Sequence, residues 1–200
     1  MVFTRFVSRF RRFRRNEDGS VAMEAMIILP ALFWAFLVCF SIFDTFRMYN
    51  INQKAAYTIG DAITRETVPI DSAYLNGMRD MFEYLAMSPG ESSLRISSMI
   101  WSEVDDRYYA TWSRAVGSRG PLSDDDIVAL RDRLPTMPDL EQVVLVETWT
   151  NYDPPFKTGL EEQVIENFVF TRPRFAPFVC WDSCDNMQQV LENITPVETY

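Results

Sequence analysis

The side chains of this 200-residue chain that could do chemistry are carboxylates and thiols, because it contains no histidine. Without an imidazole there is no ordinary general base, no activator for a serine nucleophile and no histidine ligand for zinc. Three cysteines are too few for a four-thiolate zinc site, and Cys39 lies inside an apolar run where plain packing is its expected role. Among the carboxylates, Glu103, Asp105 and Asp106 are neighbours in a polar turn, a pattern of solvated charges and not of a placed acid/base pair. Ser123 ahead of Asp124, Asp125 and Asp126 has the spacing of a helix cap, a serine with an acid three residues on, and supplies too few oxygens for calcium. Two features remain. Glu24 stands at the edge of a long apolar segment, and Cys180 and Cys184 enclose Trp181, Asp182 and Ser183. That spacing is one residue too long for a redox C-x-x-C pair. No catalytic residue, metal site or cofactor is expected.

The apolar segment sets the place of everything else. From Ala25 to Phe43 the chain carries no charge, and Ser41 is its only hydroxyl. As a helix the segment covers ~28 Å, close to the ~30 Å of bilayer hydrocarbon, whereas apolar runs of about 14 residues are the usual limit for a buried core helix. A membrane span over about 25–43 follows. Six arginines stand among residues 1–19 against Glu17 and Asp18, a balance of +4, so with an overall charge of −9 the residues beyond Gly19 carry −13. Basic residues before the span and Asp44 after it place the N-terminus in the cytoplasm and residues 45–200 on the far side. No small-residue cleavage site follows the run, and Val38 stands where a lipidated cysteine would need a small neighbour. Pro30 is expected to bend the helix in its first third. Glu24 has two readings: a carboxylate with a task at the membrane edge, or one that snorkels toward the interface near the positive end of the helix dipole.

Beyond the span, Met48, Ile51, Ala55, Ile59, Ala62 and Ile63 recur every three or four residues, which extends the helix to about Glu66. The simplest account of that stripe is a stalk packed on its own globular domain. Pro69 and Asp71 are expected to close it, and Ala73–Met87 to form a second helix facing inward with Leu75, Met78, Phe82, Leu85 and Ala86, stopped by Pro89-Gly90. Leu94–Trp101 and Arg107–Val116 read as a hairpin joined by Ser102–Asp106, and Ser123 opens a short helix. Gln142–Asn151 and Asn167–Thr171 read as further strands around an Asp153-Pro154-Pro155 turn. Helices followed by antiparallel strands define an α+β fold. In an oxidising compartment Cys180 and Cys184 are expected to form a local disulfide. The acidic exported part disfavours nucleic acid as a partner.

The junction itself carries a pattern. A basic leader ending in Gly19, the small Ser20, Glu24 as the fifth residue beyond that glycine, and an apolar helix opening Ala25-Met26-Ile27-Ile28-Leu29-Pro30 resemble the prepilin-type signal of type IV pilins. More closely they resemble the TadE-like family of minor pseudopilins from bacterial tight-adherence (Tad/Flp) pilus systems. Val143–Tyr152, followed by prolines and then by Thr171-Arg172-Pro173-Arg174, is similar to a strand and a terminal R-P-R segment of that family. The sequence departs from the family in having Met23-Glu24-Ala25 in place of the commoner Val-Glu-Phe. The resemblance implies a type IV pilin-like architecture: a leader over 1–19, a transmembrane and stalk helix over 20–66, and a periplasmic α+β domain over 67–200. It implies cleavage after Gly19 by a prepilin peptidase, leaving Ser20 as the N-terminus, and pairing of Glu24 with the freed amine of a neighbouring subunit. The partners implied are that peptidase, other pilins and pseudopilins, the inner-membrane assembly platform and the bilayer. The inner membrane is the implied location, with the pilus as a second. The alternative is a single-span, membrane-anchored periplasmic interaction or binding protein that is not processed. Cleavage between Gly19 and Ser20 separates the two.

Overall fold

The computed structural model describes residues 20–88 and 92–194; the leader with Gly19, and the Pro89-Gly90 helix stop, lie outside them. Helix α1, Ser20–Thr64, continues without interruption through Pro30 and ends two residues before the expected Glu66. Asp71 does not close α1. Its carboxylate accepts a hydrogen bond from the Tyr74 amide (2.8 Å) and so opens α2, Ser72–Ala86, the short polar side chain satisfying a backbone donor that a helix start leaves unpaired. Helix α2 ends on Met87, whose left-handed backbone (φ 54°) turns its amide back onto the Glu83 and Tyr84 carbonyls.

Four strands follow as an antiparallel sheet in the order β2-β1-β3-β4: β1 Ser93–Ser102, β2 Arg107–Val116, β3 Gln142–Tyr152 and β4 Gln163–Thr171. The hairpin has the expected limits within a residue, whereas β4 begins four residues earlier than the sequence suggests. The fold is α+β. Between β2 and β3 lies α3, Asp124–Ala129, whose cap is reciprocal: the Asp126 amide donates to Ser123 Oγ (3.3 Å) and the Ser123 amide to Asp126 Oδ2 (2.9 Å). Hydrogen bonds from the Ser123 side chain and backbone hold the Asp126 carboxyl below the usual carboxylate range. A final helix, α4 (Asp185–Ile194), packs against β2 and has no counterpart in the sequence reading.

The chain divides into two compact units. One contains the described residues of α1 up to Asp44 together with Pro155–Leu160 of the β3–β4 loop, where the Phe156 ring stands edge-on to Phe40 at 5.8 Å. The other, built from 45–154 and 161–194, holds the core. There Ala55, Ala56, Ile59 and Ile63 of α1 and Leu75, Phe82 and Ala86 of α2 bury one face of the sheet through Leu94, Ile96, Val144, Val146 and Val169. The stripe of α1 is therefore a packing face for its own domain. Met99, Trp101, Tyr108, Val143 and Leu145 on the opposite face pack with Ile127, Leu134 and Met137. A register shift in the β1–β2 pairing at Ser98/Met99 keeps both faces apolar on either side of it.

Candidate processing and anchoring segment

Among the described residues α1 is the one helix long and apolar enough to cross a membrane. Its N-terminal part is bare: Ile27, Phe33 and Phe36 are 70%, 64% and 63% exposed. A belt of that size around a helix is far from the scattered apolar residues of an ordinary surface. Glu24 lies within this belt, one helical turn beyond Ser20, and is exposed. It shares the belt with Val21, Met23 and Met26, all exposed. Cys39 is a free thiol exposed on the same segment. Gly19 lies outside the described residues, so the bond between it and Ser20 has no described geometry.

Cys180 and Cys184 are joined in a disulfide with Cα atoms 5.1 Å apart. The segment carrying them is held from several sides. The buried Gln142 side chain acts as a short piece of strand, its Oε1 accepting from the Val179 amide (2.8 Å) and its Nε2 donating to the Val179 carbonyl (3.2 Å). Trp112 Nε1 donates to the same carbonyl (2.9 Å). The Ile70 amide donates to the Cys180 carbonyl (3.0 Å) and the Asp182 amide to the Ile70 carbonyl (2.9 Å), while Trp181 lies 5.7 Å from the Trp112 ring. The disulfide closes a loop already anchored to core strands.

Of the turn carboxylates Glu103, Asp105 and Asp106, the last two have structural partners, and Glu103 is exposed. Asp105 accepts from Ser102 Oγ (3.1 Å) and the Tyr109 hydroxyl (2.9 Å), and Asp106 pairs with Arg131 (2.8 Å). The R-P-R segment is tied to two elements: Arg172 pairs with Glu141 ahead of β3 (2.7 Å), and Arg174 pairs with Asp61 of α1 (3.1 Å) while its amide donates to the Thr64 carbonyl.

Sequence reasoning missed the most enclosed charge pair. Glu147, in the middle of β3 with a side chain 3% exposed, receives two hydrogen bonds from Arg95 of β1, at 2.6 and 2.8 Å. The Arg95 guanidinium also lies 4.9 Å from the Trp149 ring centre, and Arg119 lies 5.2 Å from it. Arg119 and Trp149 line a cleft of about 390 Å³ with Arg79, Ser93, Gly117 and Ser118. Only glycine fits at 117, where φ is +107° and a Cβ would stand 2.8 Å from the Ser93 Cα. No family model, no curated protein and no solved structure matches the chain.

Proposed function

We propose that this chain is a non-enzymatic minor pseudopilin that takes part in assembling a Tad/Flp-type adhesive pilus and is processed after Gly19 by a prepilin peptidase. The observation that carries the reading is α1: next to the Gly19-Ser20 bond of the TadE-like pattern, its N-terminal part presents an exposed apolar belt that contains Glu24. A carboxylate in such a belt is costly in lipid unless a cation meets it, and a free α-amine at Ser20 of a neighbouring subunit is a cation at the right depth. The C-terminal part of α1 is committed to its own core, so contacts along the fibre axis fall to the N-terminal part. In this reading the helix lies in the bacterial inner membrane with its N-terminus cytoplasmic, and residues 45–200 are periplasmic, where the Cys180–Cys184 disulfide persists.

The test is genetic. Deletion of the chain should abolish or sharply reduce surface pili counted by electron microscopy, wild-type chain should restore them, and Glu24→Ala should not restore them although it reaches the membrane in normal amount. Normal piliation in the deletion strain, or full restoration by Glu24→Ala, would remove the pseudopilin role.

A further inference from the structure

We infer that the β3–β4 loop is a second lipid contact of this protein, seating Pro155, Phe156 and Lys157 at the boundary between acyl chains and headgroups beside α1. The inference rests on the proposed reading of α1 as a membrane span. Phe40, on which Phe156 packs, belongs to the uncharged run that ends at Phe43. It lies four residues before Asp44, ~6 Å along the helix toward the apolar side. A residue in ring contact with Phe40 therefore shares its depth.

The ring contact does not complete the burial of either partner. Phe156 remains 40% exposed and Phe40 46%, and Phe43, on the next turn, is 74% exposed. This apolar surface is continuous with the belt assigned to lipid, so the same medium is the occupant it fits. The backbone of the loop suits that medium as well. Pro154 and Pro155 bring no N–H groups, and the Thr158 amide is satisfied by the Phe156 carbonyl at 2.9 Å. Lys157 is exposed, with a stem long enough to lie along the acyl boundary and a head able to reach lipid phosphates. Asp153 on one side and Glu161 and Glu162 on the other limit the inserted stretch to the residues between them.

The experiment uses the full chain with Cys39→Ser, in which the disulfide leaves no other free thiol, reconstituted in phospholipid vesicles. An environment-sensitive fluorophore is attached in turn at Lys157→Cys, at Phe33→Cys within the span, and at Val104→Cys in the β1–β2 turn. Lipids carrying a nitroxide are the quencher. The expected result is loss of fluorescence at 33 and at 157 with none at 104, and recovery of the fluorescence at 157, but not at 33, when Phe156→Ser is added. Quenching at 33 with 157 behaving like 104 would overturn the inference while leaving the span intact. An unquenched label at 33 would overturn the span reading and the inference together. Shielding of the 157 label only at high protein-to-lipid ratio would assign the loop to a second copy of the chain, and that too would overturn it.

Discussion

At the scale of single residues the Arg95–Glu147 pair is the most consequential feature of the domain. Glu147 sits among the apolar residues of a central strand, where an uncompensated carboxylate is untenable, and the guanidinium answers it with a two-pronged contact while its own face rests near Trp149. Breaking the pair from one side strands the other charge. Glu147→Ala is expected to cost about 3–5 kcal/mol of unfolding free energy, whereas the joint replacement Arg95→Met with Glu147→Leu is expected to lie near the wild type. Denaturant unfolding of the full chain in micelles checks both, and additive losses in the double variant would show that the two side chains do not act as a unit. Residue types alone do not disclose such a pair. Arg95 and Glu147 are 52 positions apart, and only the antiparallel register of β1 on β3 sets them opposite each other. Glu24 was legible for the opposite reason: its setting is local, a lone charge at the start of an uncharged run.

At the scale of elements, what could be read was what short-range periodicity and caps dictate. Helix α2 and the β1–β2 hairpin stand within a residue of their expected limits because each carries its apolar spacing and its stop in its own sequence. Helix α4 was overlooked although Met187, Val190, Leu191 and Ile194 have the three-and-four spacing of a helix face, with Met187 buried against the domain. The Cys180–Cys184 segment shows how a local motif and distant contacts share one task. A disulfide that closes a five-residue loop is expected to add roughly 2 kcal/mol by restricting the unfolded chain. Reduction, or the double change Cys180→Ser and Cys184→Ser, should therefore lower stability by that order, read as a shift in the unfolding midpoint with and without reductant. An unchanged midpoint would mean that Gln142, Trp112 and Ile70 hold the segment by themselves.

At the scale of the whole molecule, one helix has two unlike stretches along its length. From Ala55 onward α1 supplies a wall of the domain core, and between Val21 and Phe43 it carries a series of exposed apolar side chains. The fold class and the long apolar helix were both visible in the sequence, since a run without charge and a change from helical to alternating spacing are long signals. The packing of the loop residue Phe156 on Phe40 was not, because a turn between strands says nothing of which helix it meets. The reading as a pseudopilin joins the two halves of α1: a domain that stays folded outside the membrane, and a segment whose burial is completed first by lipid and then by neighbouring subunits. It turns on a single peptide bond. The most direct measurement is the N-terminal residue and intact mass of the chain isolated from its native membrane, with and without the prepilin peptidase. The account predicts a mature chain that begins at Ser20, lighter by the mass of residues 1–19, and a full-length chain when the peptidase is missing. A chain that begins at Met1 in both strains would contradict it and leave an anchored domain with no processing step.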